Sequence, residues 1–422
     1  SGTARPRLGA DAGQMAEIAL VHVTAPPVVG GVERVLGRQA VMLAADGHRV
    51  RIVAGRGEPP APDIAFRRVE LADSVAPEIV AVRRALAAGD RPDDYAAIVA
   101  RLGEQLGEAL AGVDVVIVHN LASLDVNLAM TEALHGIAEH GAPRFVLWHH
   151  DLAWTRPADR ARLHPGSPWS LLRSVWPGAL QVAVSEARRR ELAGLQDLDP
   201  ATITVIPNGV DLPVPADVAV PQTLVNVAMG TDPLLVLPAR IAPRKNIELA
   251  LRIVAAMRDL GRPAGLVVTG PIDPHEGGGA GPPYLASLVE LRASLGLEDA
   301  AWMAATAVHE PLSDAAVDAI YGMVDAMILP SRDEGFGLPV LEAALRRLPI
   351  VCSDLPVLRE LAGEAGLYID PEGDPSAAAK AILARLDGDP AAVLSGRVRR
   401  GWSWPAIHRR HLVPLIDRAL GR

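Results

Sequence analysis

The chain has 422 residues, too many for one ordinary hydrophobic core and enough for two domains. Half of the residues are hydrophobic but only 3% are aromatic, so Ala, Val, Leu and Ile must build the interior. A net charge of −9 argues against nonspecific nucleic-acid binding, and the single cysteine, Cys352, excludes an intrachain disulfide.

No apolar run is long enough to span a bilayer, and the first residues form no signal-like core, so a soluble protein of the reducing cytoplasm is expected. Residues 1–14 (SGTARPRLGADAGQ) are small and polar and read as a disordered extension or expression remnant.

Short apolar runs then alternate with helical stretches, the pattern of a doubly wound parallel sheet, and the pattern occurs twice. The first series comprises residues 18–23 (IALVHV), 48–53 (HRVRIV), 113–118 (VDVVIV), 144–148 (RFVLW), 180–184 (LQVAV) and 203–206 (ITVI). Residues 26–34 (PPVVGGVER) follow the first strand and open a helix. Their Gly30-Gly31 pair permits a tight turn but does not match G-x-G-x-x-G, so a dinucleotide cofactor is poorly supported. The third strand runs into His119 and Asn120, and the fourth into His149, His150 and Asp151. Ligands of such sheets bind at these carboxyl ends. The His doublet beside Asp151 could be a metal pair, but zinc needs at least three protein ligands and no matching cluster stands nearby, so hydrogen-bonding roles are expected and no metal. Residues 211–232, rich in Pro, Val and Thr without a helical period, read as a linker.

The second series comprises residues 234–237 (LLVL), 264–268 (AGLVV), 300–304 (AAWMA), 326–329 (AMIL) and 350–352 (IVC). Arg240 and Lys245 sit in the loop before the helix expected over 247–260, where two fixed cations can neutralise a diphosphate. Ordinary surface charge is the other reading for exposed cations in a loop. Residues 330–342 (PSRDEGFGLPVLE) form a glycine-rich turn between a buried strand and a helix, with Pro339 placed at the first helical position. Backbone N–H groups of Gly335, Phe336, Gly337 and Leu338 are then exposed at a helix N-terminus, which favours phosphate oxygens. Glu334 and Glu342 flank that turn. Taken singly, either carboxylate is as well explained by helix-dipole or solvated loop roles.

The whole string PSxxEGFGLPxLE resembles the E-x7-E signature of the retaining GT-B glycosyltransferases, in particular family 4 with its group 1 domain. Arg240 to Lys245 resembles the family's R-x4-K element, with Arg244 a rival to Lys245 for its second position. Residues 184–187 (VSEA), 206–211 (IPNGVD) and 402–420 are similar to further segments of it, so the resemblance covers nearly the whole chain after Met15. It implies an α/β fold of two Rossmann-like doubly wound domains facing a central cleft. The expected division is 15–212 for the acceptor-side domain, 213–232 for the linker, 233–398 for the donor-binding domain and 399–422 for a C-terminal helix crossing back.

By the same resemblance, Glu334 contacts donor-sugar hydroxyls together with Gly335, Phe336 and Gly337, while Glu342 and Leu338 serve the ribose. Arg240, Lys245 and Gly31 hold the diphosphate, and His150 sits beside the reacting carbon. His149, Asp151 and Asn120 are candidate acceptor contacts, with Asp151 also able to orient an imidazole. The reaction implied is metal-independent, retaining transfer of a hexosyl unit from a nucleotide-diphosphate sugar, of GDP-mannose or UDP-glucose type, to an acceptor hydroxyl. The acceptor is an unidentified small molecule, glycan or lipid-linked species, and residues 187–192 (ARRREL) offer a possible basic face for peripheral membrane contact. The irregular loops 270–283 and 304–314, expected around the nucleobase, leave the base open. A hydrolysing nucleotide-sugar epimerase and a non-catalytic nucleotide-sugar binder are the alternatives.

Overall fold

The computed structural model describes residues 15–214, 218, 220–272 and 281–422. The extension at 1–14 and part of the expected nucleobase loop, 273–280, lie outside the described residues. The chain packs as two units, one taking the chain up to Gly209 together with Ile407–Arg422, the other Val210–Ala406.

The first unit is built on seven parallel strands, β1 (Glu17–Val21), β2 (Arg49–Ala54), β3 (Ala65–Arg68), β4 (Val115–His119), β5 (Arg144–His149), β6 (Leu180–Ala183) and β7 (Ile203–Val205). Their order is β3-β2-β1-β4-β5-β6-β7. Every residue of β4 is buried, as a parallel strand covered on both faces requires, and this explains its unbroken apolar run. At the edge, β3 (AFRR) has no buried residue, so it lacks the apolar run by which strands were predicted. The helix Tyr95–Ala109 buries Tyr95, Ile98, Leu102, Leu106 and Ala109, one stripe at helical period, in the same core as the helix Leu128–Ala138.

Six parallel strands form the second unit: β8 (Leu234–Leu237), β9 (Gly265–Val268), β10 (Ala301–Met303), β11 (Ala326–Leu329), β12 (Ile350–Ser353) and β13 (Gly366–Ile369), in the order β10-β9-β8-β11-β12-β13. The expected linker contains a helix, Gln222–Gly230, whose Leu224, Val227, Ala228 and Met229 are buried in this unit. Spacing of three and four residues among those side chains carries a helical period that the surrounding Pro and Thr residues masked. Edge strand β13 (GLYI) was also missed, because only Ile369 is buried.

Both sheets reverse direction of growth once, between β1 and β4 and between β8 and β11. At such a switch point the loops leaving the two central strands turn to opposite sides and open a crevice at the carboxyl edge. Each predicted site segment leaves one of these strands or its immediate neighbour.

Candidate functional site

At the first switch point, His22 follows β1, His119 ends β4 and His149 ends β5, with His150 next in the chain. His22 Nδ1 lies 3.0 Å from the His119 carbonyl oxygen and donates to it. His119 Nδ1 is 3.1 Å from His150 Nε2, and His150 Nδ1 is 3.4 Å from Asn208 Nδ2. Asn120, held at φ 60°, accepts the backbone N–H groups of His150 (2.8 Å) and Asp151 (3.2 Å) with one side-chain oxygen. It therefore shapes the strand end through its side-chain oxygen, which is committed to the backbone and not to an acceptor.

His149 departs from expectation in the same way. It is wholly buried, and its Nε2 donates to Gln181 Oε1 at 2.7 Å, so it reaches no acceptor. The β5 alternation explains the split, since successive side chains of a strand point to opposite faces. Asp151 lies 3.7 Å from Arg156 rather than on an imidazole.

Burial drives all four imidazoles toward the neutral form. It lowers His150 to about 3, with His22 and His149 adding repulsion, and His149 to about 4 against the opposing Gln181 bond. His119 falls well below the ordinary value, and His22 is lowered although its bond to His119 and nearby Glu33 pull the other way. His22 was not predicted, although a histidine inside the run IALVHV is the signal that could have found it.

Gly31 opens the helix Gly31–Ala45, but a side chain there meets nothing within 4 Å. The tight position is Gly30, where a Cβ would stand 2.0 Å from Glu33 Oε2. Thr24 Oγ1 donates to the other Glu33 oxygen at 2.5 Å, so this carboxylate folds back over the glycine pair.

The second switch point is charged. Leaving β8, the turn Pro243–Lys245 ends at Asn246, buried at φ 54° and anchored by its Nδ2 to the Pro371 carbonyl at 2.8 Å. Leaving β11, the glycine-rich turn brings Glu334 against that loop. Lys245 Nζ donates to Glu334 Oε1 at 2.6 Å, and Ser331 Oγ donates to the same oxygen at 2.8 Å. The two charged side chains are only 12% and 7% exposed, so the pair is screened little by solvent. Residues expected to hold different parts of a ligand are thus each other's partner here. Arg240 is exposed in the same loop.

Arg332 fastens the two loops together. Its N–H donates to the Arg244 carbonyl (2.8 Å), its Nη1 to the Pro243 carbonyl (3.0 Å) and Glu248 (2.8 Å), and its Nε to Glu372 (2.6 Å). Gly337 caps the following helix, Leu338–Leu345, at φ 97°, and a Cβ there would stand 2.7 Å from Leu358 Cδ2, so glycine is required twice over. Pro339 is consequently the second helical residue, not the first, and the helix ends at Leu345, before Leu348-Pro349. The backbone N–H groups of Gly335, Phe336, Gly337 and Leu338 donate to no group among the described residues. Phe336 and Leu338 are exposed beside them.

Glu342 lies in the second turn of that helix, and Tyr321 OH donates to its Oε2 at 2.9 Å. Thr269, Ile272, Ala304, Val308 and His309 line one pocket at the ends of β9 and β10, from the two loops expected around a nucleobase. Among the described residues, no group of three or more His, Cys, Asp or Glu side chains could hold a metal ion. The Arg188, Arg189 and Arg190 side chains of the expected basic face are paired with Glu191 and Glu186. No helix among the described residues is long and apolar enough to cross a membrane.

The family description Glycosyltransferase Family 4 matches residues 29–213, and Glycosyl transferases group 1 matches residues 225–393. Between them they take in most of the chain, which belongs to this glycosyltransferase family. It is 33% identical over 245 residues to a D-inositol 3-phosphate glycosyltransferase of Kineococcus radiotolerans, covering 53% of this chain and 54% of the relative. It is 34% identical over 93 residues to the O-antigen chain mannosyltransferase RfbU of Salmonella typhimurium, covering 22% of this chain and 25% of the relative. The chain thus spans about half the length, or less, of these curated relatives. A solved glycosyltransferase of Rickettsia africae is 18% identical, with 97% and 99% of the two chains covered and a TM-score of 0.40, a likeness from which nothing further follows.

Proposed function

We propose that the protein is a retaining, metal-independent glycosyltransferase that moves a hexosyl unit from a nucleotide-diphosphate sugar to an acceptor hydroxyl. The observation carrying this reading is the second switch point, where Lys245 and Glu334 stand beside four unpaired backbone N–H groups at a helix N-terminus. A cation and oriented N–H groups stabilise negative charge developing on a leaving diphosphate, and they do so without reorganising at the moment of reaction. Arg240, in the same loop, adds a second cation.

In this reading the diphosphate takes Lys245 and Arg240, freeing Glu334 from its ion pair to accept hydrogen bonds from sugar hydroxyls. Glu342 takes the ribose. The acceptor hydroxyl attacks the anomeric carbon on the face the diphosphate leaves, and its proton passes to the departing phosphate oxygen. The anomeric carbon–oxygen bond to phosphate breaks as the new glycosidic bond forms. His150, neutral at physiological pH, serves as a hydrogen-bonding group rather than a proton acceptor. The relatives named mannosyltransferase and D-inositol 3-phosphate glycosyltransferase make mannosyl donors and cyclitol phosphates the first substrates to try.

Thermal shift against GDP, UDP, ADP and their sugar conjugates, with and without EDTA, tests the donor half, since a ligand of the folded state raises its melting temperature. One nucleotide family should stabilise the protein in an EDTA-independent manner, and Arg240→Ala should lose the shift. Absence of any shift sinks the reading. Rapid release of nucleotide and a changed sugar without acceptor would replace transfer by hydrolytic epimerisation.

A further inference from the structure

Glu342 does not stand alone on its helix. Tyr321, near the end of the helix Asp314–Met323 that precedes β11, donates its hydroxyl to Glu342 Oε2 at 2.9 Å. The phenol is buried, with 2% of Tyr321 exposed. Arg346, one turn after Glu342, lies over the Tyr321 ring at 4.7 Å, donates to the Glu342 carbonyl at 3.0 Å and pairs with Asp318. One phenol from the neighbouring helix thus engages one carboxylate oxygen, and Arg346, held by Asp318, covers the ring of that phenol.

We propose that Tyr321 is a positioning residue that makes Glu342 selective for a ribose diol, an inference that rests on the donor reading above. With Oε2 occupied by the phenol, Oε1 is the oxygen left for a ligand hydroxyl. A carboxylate engaged at one oxygen cannot swing freely about its terminal torsion, which is otherwise broad, so the remaining acceptor points in one direction. A site built to accept a hydroxyl binds an analogue lacking it less well, because the half-buried, oriented acceptor loses its partner. Loosening Glu342 weakens that preference, since a mobile carboxylate can turn to water instead. Burial and the adjacent carboxylate both push the phenol further from ionising, which keeps it a donor.

The test is the ratio of dissociation constants for the tightest-binding of UDP, GDP and ADP and for its 2′-deoxy and 3′-deoxy forms. It is measured by calorimetry on the full chain, on Tyr321→Phe and on Glu342→Gln. Wild-type protein is expected to prefer the ribonucleotide about 10-fold or more, Glu342→Gln to erase the preference, and Tyr321→Phe to reduce it about 5-fold, the effect of one ordinary hydrogen bond. The ratio is taken within one sample, so a smaller folded fraction leaves it unchanged. If Tyr321→Phe lowers the melting temperature but keeps the full ratio while Glu342→Gln loses it, Tyr321 is only structural and the proposal falls, with the donor reading intact. Equal binding of ribo and deoxy forms by wild type also overturns the proposal. Failure of wild type to bind any of the three nucleotides removes the donor reading itself.

Discussion

The two switch points occupy the same place in two similar sheets and are lined by opposite chemistry. Around β1, β4 and β5 stand three buried imidazoles, His22, His119 and His150, driven neutral by desolvation and joined through one another, a backbone carbonyl and Asn208, while His149 turns to the other face of β5 onto Gln181. Around β8 and β11 stand a lysine and a glutamate in direct contact, with Arg332 bracing the loops. The topology opens the crevice in both cases, and the side chains decide what enters it. A neutral lining suits hydroxyl groups, whereas a charged one with free N–H groups suits a diphosphate.

The comparison is sharpened first by an ion pair that has no part in the site. At the opposite end of β11, Arg399 is buried and donates to both oxygens of Asp325 and to the carbonyls of Ala228, Met323 and Thr231. Arg399→Met leaves Asp325 buried without its charge partner, and urea denaturation should show a loss of about 3–5 kcal/mol. Lys245→Ala, which also strands a carboxylate, is expected to cost less stability because Glu334 keeps the Ser331 hydroxyl and its pair is less deeply buried than Arg399 and Asp325. Its effect should fall on rate, with initial transfer velocities down by about 100-fold or more, as for removal of one group stabilising a transition-state charge. Equal stability losses for the two variants would erase the distinction between structural and functional pairs.

The histidine side is broken with acid. His149 titrates near 4 in the folded state and near 6.5 unfolded, so below pH 6.5 the unfolded chain binds the proton that the folded one refuses. Its contribution to stability is complete above about pH 6.5 and is lost as pH falls toward 4, at up to about 1.4 kcal/mol per pH unit. His149→Gln should lessen the slope of that segment of the stability profile, measured by denaturant titration at stepped pH, leaving the share of the other three imidazoles. An unchanged slope would show that the imidazole is not held neutral by burial.

The smallest effect is expected from Arg332, whose side chain is 38% exposed. Arg332→Ala removes the brace between the Lys245 and Glu334 loops, and nucleotide affinity should weaken about 3- to 5-fold with stability changed by under about 1 kcal/mol. Titration of the bound nucleotide followed by a melt of the same variant checks both.

Much of this was legible in the chain. Central strands of a parallel sheet are covered on both faces and must be apolar throughout, so 18–23, 113–118 and 326–329 announced themselves, whereas β3 and β13 lie at edges where that demand lapses. The glycine-rich turn was readable because Gly337 sits at a positive φ that other residues resist, which ties residue type to local backbone directly. Local rules also put the carboxylates and cations at strand ends.

What they cannot supply is which side chains meet. Lys245 and Glu334 are 89 residues apart, and His119 and His150 are 31 apart, joined only because the sheet order sets β8 beside β11 and β4 beside β5. The choice between His149 and His150 depended on which face of β5 each presents, and the role of Asn120 on its left-handed backbone. Tyr321 gave little sign in sequence, and His22 only its place inside an apolar run, because their partners are distant along the chain. Periodicity and turn chemistry act over a few residues and so fixed the elements, while pairings, tautomers and buried charge were decided where those elements pack.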